Sequence, residues 1–279
     1  MRFGINAWFW VQPFKTEDIG LLRKIADMGC DWVEISIETV DQPLDYRKLG
    51  AALQDNGLGA SICAYFSGIC DLTVQDATQN KAALDYMRHC VDAAVAMGST
   101  RIGRPFYSTL GRFWHPDDRR AELEKVAGHL RDIGRYAADR GVVFAIEPIN
   151  RYETSFINTA EQGLELVEMV DSPAVQLMLD SFHMSIEEKF LDKAVESAGK
   201  HLVHIHANEH DRGVPGSGHV DWQGMAAALK KINYDGALVI ESFSYDLKDF
   251  AGLTKIWRPV VERDTDLAEG IKFLRQTFA

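Results

Sequence analysis

The chain has 279 residues and a formal net charge of −11, with 46% hydrophobic and 25% charged residues, the balance of a folded globule rather than of a disordered chain. No basic cluster of the kind that neutralises phosphates accompanies that charge, which argues against nucleic acid and anionic membrane as partners. The N-terminus MRFGINAWFW lacks a basic leader followed by a long apolar stretch, no run approaches the ~20 apolar residues of a membrane span, and Cys30, Cys63, Cys70 and Cys90 include no CxxC pair, so the expectation is a cytoplasmic protein with free, mostly buried thiols.

From the N-terminus onward, apolar β-type runs alternate with helical ones. Strands are predicted at 3–7, 32–37, 59–64, 101–104, 142–147, 175–180, 202–206 and 237–241, and helices over 17–28, 44–56, 80–97, 117–140, 159–170, 188–199, 222–232 and 265–278. Leu84, Met87, Val91 and Ala94 show the helical recurrence. Gly29, Gly57, Gly98 and Gly141 each follow a helical run and precede a strand, where a left-handed residue costs least as glycine. Thr159, with Gln162 three residues on, reads as a capping box. No Pro/Gly/Ser-rich linker divides the chain, which is read as one domain over 1–279. A strand-helix rhythm implies a parallel sheet, and eight units of roughly 31 residues make a single (β/α)8 TIM barrel. A doubly wound open sheet would need a glycine-rich turn after its first strand, which GINAWFWVQPF lacks. The stretch 242–264 carries Phe243, Tyr245, Phe250 and Trp257, expected to cover the barrel mouth or to pack on a second subunit.

Glu147, Asp180, His206 and Glu241 each close a predicted strand, 33, 26 and 35 residues apart. The C-terminal ends of barrel strands share one mouth, so these four side chains are expected to meet there. Carboxylates with one imidazole form a mixed O/N set suited to a divalent ion such as Mn²⁺, Co²⁺ or Mg²⁺. Strands five and eight are not neighbours in a closed barrel, so Glu147 and Glu241 approach from opposed directions, as removal of a proton from one face of a carbon and its delivery to the other require. Each of the four also has a plainer reading, as a strand-end salt bridge, an N-cap or a packed histidine; their common placement favours the site. Glu153, His183 and Arg212 lie on the loops beyond these strand ends, where they can meet substrate oxygens or serve as a solvated acid, a packed histidine and a surface arginine. Arg104 ends the fourth strand, where it would bind an anionic substrate group or pair with Glu147 or Glu153. Trp8, Phe9, Trp10, Tyr65, Phe66, Phe106 and Trp114 are expected to line the pocket or to be core.

The segments EPINRYE, LDSFHMSIEE, HIHANEHDRGVPGSG and VIESF, in this order and spacing, closely resemble the ketose 3-epimerases of the xylose-isomerase-like barrels, and the likeness extends to the IWR segment and the closing helix. The resemblance implies that Glu147 and Glu241 are both acid/base pair and metal ligands, that Asp180 and His206 complete the ligand set, and that Glu153, His183 and Arg212 hold substrate oxygens. It implies one divalent metal per subunit, with Mn²⁺ ahead of Co²⁺ or Mg²⁺, and a homodimer or homotetramer. The implied reaction inverts C3 of a free ketose through a cis-enediolate, with the metal on O2 and O3. Two positions depart from the family pattern: Asn208 stands where a glycine is usual, and Arg104 where a small or apolar residue is. An aldose-ketose, hydroxypyruvate-type or inosose-type isomerase is the alternative enzyme on the same barrel, and a sugar-binding or scaffold role the non-enzymatic one. Endonuclease IV-like DNA repair is disfavoured by the −11 charge.

Overall fold

The computed structural model describes residues 1–68, 70–115 and 119–278. Eight strands, β1 (Arg2–Asn6), β2 (Trp32–Ser36), β3 (Gly59–Cys63), β4 (Arg101–Arg104), β5 (Val143–Ile146), β6 (Val175–Asp180), β7 (Leu202–His206) and β8 (Ala237–Ile240), pair in sequence order into a closed barrel. Every pairing is parallel, including β1 with β8, so all C-terminal ends open on one side. The fold is a (β/α)8 TIM barrel. Around it lie α1 (Leu21–Asp27), α2 (Tyr46–Asp55), α3 (Ala77–Met97), α4 (Arg119–Ala138), α5 (Ala160–Val170), α6 (Ser181–Glu187), α7 (Leu191–Ala198), α8 (Trp222–Lys231), α9 (Lys248–Thr254) and α10 (Asp264–Thr277). Among the described residues no helix is long and apolar enough to cross a membrane.

The turns that enter strands work as the glycine pattern implies. Gly29, Gly57, Gly98 and Gly141 all have positive φ, and the Thr159–Gln162 capping box opens α5. The aspartates Asp45, Asp76 and Asp221 start α2, α3 and α8 by accepting backbone N–H groups. Cys30, Cys63 and Cys90 are buried and Cys70 partly so, all with free thiols.

Three differences from the sequence expectations have local causes. The ladders of β1, β2, β3, β5 and β8 stop one residue early, leaving Ala7, Ile37, Ala64, Glu147 and Glu241 just beyond them; at Glu241 the backbone N–H is taken instead by the Asn208 side chain, at 2.6 Å. The helix expected at 188–199 is observed as α7, and an unexpected one, α6, precedes it. Asp180 accepts the Phe182 N–H at 2.7 Å and starts α6 without any intervening turn, and Glu188 breaks the run because its carboxylate caps α5 through the Ala160 N–H, at 2.7 Å. The stretch 242–264 contains α9, whose Phe250 is buried with Phe243, whereas Tyr245 and Trp257 remain exposed. Of the helix expected at 117–140, residues 117 and 118 lie outside the described residues, and α4 is observed from Arg119.

Close approach between strands fixes one glycine. A Cβ on Gly4 would stand 2.3 Å from the Trp32 carbonyl oxygen of β2, so Gly4→Ala must push β1 from β2 and is expected to cost about 1–3 kcal/mol. Gly128, in α4, has nothing within 4 Å of such an atom, and Gly128→Ala is expected to gain roughly 0.5–1 kcal/mol from helix propensity. Denaturant melts of the two variants should therefore shift in opposite directions, and a Gly4→Ala midpoint equal to wild type would contradict the account of this contact.

Candidate active site

At the barrel mouth β6 and β7 end on Asp180 and His206, while Glu147 and Glu241 follow directly on β5 and β8. All four are fully buried, and they converge. His206 Nδ1 lies 3.5 Å from Glu147 Oε1, 3.5 Å from Asp180 Oδ2 and 3.3 Å from Glu241 Oε2. On the far side of the ring, Nε2 is 2.8 Å from Glu34 Oε1.

Glu34 was not anticipated from the sequence. It sits in mid-β2 with no exposure and has four partners: Asn6 Nδ2 at 2.9 Å, Ser61 Oγ at 2.7 Å, His204 Nε2 at 2.9 Å and His206 Nε2 at 2.8 Å. An ionised carboxylate has about four lone-pair sites, so this one is saturated. By holding a proton on His206 Nε2 it turns Nδ1 toward the three carboxylates, the arrangement in which a histidine presents a ligand atom to a metal. The signal available in the sequence was an acid inside the apolar run WVEIS together with two same-face histidines in VHIH that need an acceptor.

The electrostatics show what the mouth demands. Burial opposes charge on His206, but Glu241 and Glu34, followed by Asp180 and Glu147, outweigh it and raise its pKa well above the ordinary histidine value. Burial likewise works against ionised Glu147, yet Arg104 overcomes it and brings the carboxyl down to about 2. The same contest, with Arg212 as the counter-charge, holds Asp180 well below the usual carboxylate range. Three buried carboxylates, Glu147, Asp180 and Glu241, thus share two guanidinium groups and the His206 ring. A divalent cation in place of the His206 proton would offset the same negative charge. His206 Nδ1 and Glu147 Oε1 are buried without a hydrogen-bond partner, and with Asp180 they form one of the clusters close enough to grip a single ion. The donor set is mixed O/N, which fits a divalent metal of the Mn²⁺, Co²⁺ or Mg²⁺ type.

Above this floor opens a cavity of about 580 Å³ whose lining includes Trp8, Arg104, Glu153, Phe182, Arg212 and Phe243. Arg212, with φ +70°, reaches down so that Nη1 contacts Asp180 Oδ2 and lies 3.0 Å from Glu241 Oε2, and its guanidinium rests 4.0 Å from the Phe182 ring centre. His183, from α6, accepts the Asn150 backbone N–H at Nδ1 (3.1 Å) and has Nε2 3.2 Å from Arg212 Nη2. Glu153 is partly exposed at the rim and accepts from Asn150 Nδ2 at 2.9 Å. Asn208 joins three strand ends: its Nδ2 donates to Asp180 Oδ1 at 3.2 Å, its Oδ1 accepts from the Glu241 N–H, and its own N–H donates to Ser181 Oγ at 2.8 Å. Trp8 and Tyr65 are the only members of the aromatic set among the cavity's described lining residues. Trp114 stands elsewhere, 5.0 Å from the Phe156 ring and under the Arg112 guanidinium, because the Ser155 hydroxyl holds its backbone against the β5–α5 loop. Phe66 and Phe106 meet edge-to-face in the core.

Known proteins carry the same frame. The model of the xylose isomerase-like TIM barrel family matches residues 22–277. The chain belongs to that family. Within it, a probable ketose 3-epimerase of Synechocystis sp. is 31% identical over 100% of this chain and 97% of its own length, and an L-ribulose 3-epimerase of Methylomonas sp. is 33% identical over 100% and 98%. Among solved structures, D-psicose 3-epimerase of Clostridium cellulolyticum H10 with D-tagatose superposes with a TM-score of 0.89 at 27% identity, covering 100% of this chain and 99% of that one. Ketose 3-epimerases are thus among the proteins that this chain resembles over its whole length.

Glu34→Gln replaces an acceptor oxygen by an N–H₂ facing donors, so the orientation of His206 should be lost. Mn²⁺ affinity measured calorimetrically on metal-free protein is expected to fall about 10–100-fold, with the circular dichroism of the barrel retained. Unchanged Mn²⁺ affinity would show that Glu34 does not orient the ligand set.

Proposed function

We propose that this enzyme, as one catalytic domain, inverts the configuration at C3 of a free ketose. The observation that carries the reading is the placement of Glu147 and Glu241. Each turns one oxygen toward His206 Nδ1 and the other toward a single shared guanidinium, so the two carboxylates face each other across the width of one small planar group. A carbon centre set between them can lose a proton to one side and regain it from the other. The names of the full-length relatives, ketose and L-ribulose 3-epimerases, support the same reading.

Glu147, Asp180, His206 and Glu241 would hold a divalent ion, Mn²⁺ ahead of Co²⁺ or Mg²⁺ by the family resemblance, and that ion would supply Lewis-acid polarisation of the ketose carbonyl and stabilise negative charge on the neighbouring oxygens. One glutamate takes the C3 proton. The cis-enediolate so produced is planar at C3, and the opposite glutamate protonates its other face. Because the pair is symmetric in role, the reaction runs in both directions. Arg212, His183 and Glu153 hold the substrate's oxygens in register, and the aromatic walls from Trp8, Phe182 and Phe243 keep water from the planar intermediate. The reading carries with it the homodimer or homotetramer that the family resemblance implies.

Incubation with fructose, tagatose or ribulose and Mn²⁺ in D₂O is expected to yield the C3 epimer with deuterium at C3. Label confined to C1 or C2 would sink the proposal in favour of an aldose-ketose isomerase. Glu147→Gln and Glu241→Gln are each expected to lower kcat by about 10²–10⁴-fold while ketose binding persists, and chelation should abolish turnover until Mn²⁺ is restored.

A further inference from the structure

Arg104 has φ +149°, a backbone angle that residues with side chains rarely adopt. Such strain persists where the surroundings over-determine it, most often at working sites. Nη1 lies 3.2 Å from Glu147 Oε2 and Nη2 2.9 Å from Glu241 Oε1. Nε is 3.0 Å from Cys63 Sγ, and the guanidinium carbon is 4.8 Å from the Trp8 ring centre. The remaining oxygens of the same glutamates, Glu147 Oε1 and Glu241 Oε2, are those that face His206 Nδ1. The glutamates therefore divide their oxygens into an inner pair, turned toward the ligand set, and an outer pair held by one fork.

An oxygen engaged with a metal is a poor base, so in a C3 epimerase the outer pair must exchange the proton. That pair is where Arg104 sits. We infer that Arg104 is a positioning residue that occupies the seat of C3 in the resting site, holding the outer oxygens of Glu147 and Glu241 one planar group apart, and that it yields this seat to the ketose. The inference rests on the epimerase reading above. A guanidinium bonded to both carboxylates weakens each as a base, and its fork cannot share space with a reacting carbon, so the fork and a bound ketose exclude one another. Withdrawal does not strand the cation. Its side chain already lines the cavity, is 12% exposed, and lies against the face of Trp8, where a displaced guanidinium keeps a favourable partner.

Crystal structures of the Mn²⁺-loaded wild type with and without tagatose test this directly. Without sugar both contacts should persist; with tagatose between the glutamates both N–O separations should exceed about 4 Å, the limit of an ion pair. A sugar seated there with the fork still closed on both carboxylates overturns the inference. In solution, Arg104→Gly removes the competitor and suits φ +149°. It is expected to lower KM for tagatose by about three-fold or more and to tighten Mn²⁺ binding in sugar-free calorimetry, because a competing cation has gone. Arg104→Lys, which keeps the charge without the fork, should fall between. A purely structural role predicts the reverse, namely unchanged or raised KM and unchanged or weaker Mn²⁺ binding in Arg104→Gly, and either result overturns the proposal. A wild type that exchanges no C3 proton in any ketose refutes the epimerase reading itself. A wild type that does, with KM unmoved in Arg104→Gly, refutes only the role of Arg104.

Discussion

A carboxylate with no solvent exposure is tolerated only when every lone pair is met, and Glu34 is the place where this barrel meets that condition. Its partners come from β1, β3 and twice from β7, so one side chain in the barrel interior ties together strands that are not all neighbours. Breaking a buried charged network of this kind costs several kcal/mol. The cost is what fixes His206, and His206 in turn is the atom around which Glu147, Asp180 and Glu241 gather. The arrangement at the mouth is therefore held from below, by polar groups occupying positions that in most barrels belong to branched apolar side chains.

The layer above is built on conflict rather than on saturation. Acidic groups crowd one another and are kept ionised by arginines whose own backbones are unfavourable: Arg104 and Arg212 both have positive φ. Local strain and like-charge crowding are stabilised elsewhere, in the apolar shell of Ile5, Ile35, Phe144, Leu177 and Ile205 between strands and helices, all essentially without exposure. The division is that of a stable frame with a frustrated mouth.

Much of this was legible in the chain. The barrel could be read because its period is carried by glycines before β2, β3, β4 and β5 and by polar residues at the ends of β5, β6, β7 and β8, and Glu147, Asp180, His206 and Glu241 do meet. What escaped the reading depended on distance in sequence or on backbone detail. Glu34 finds its histidine partners 170 and 172 residues away, so nothing near it announces its task. α6 was missed because Asp180 ends a strand and starts a helix at the same residue, leaving no turn to mark the change. Arg104 could be placed at the mouth and in range of Glu147, but its second contact, to Glu241, and its φ of +149° leave no mark in the sequence. Trp114 looked like pocket and is loop packing, a distinction set by the Ser155 contacts that hold its backbone.

Asn208 links Asp180 Oδ1 on one side to the Glu241 backbone on the other through a single planar amide. An amide has a fixed span, so the two strand ends it joins cannot drift apart independently. It acts as a gauge for the opening between β6 and β8. The carboxylate of Asp180 and the backbone of Glu241 are thereby coupled through a buried side chain, so a shift at one strand end is carried to the other.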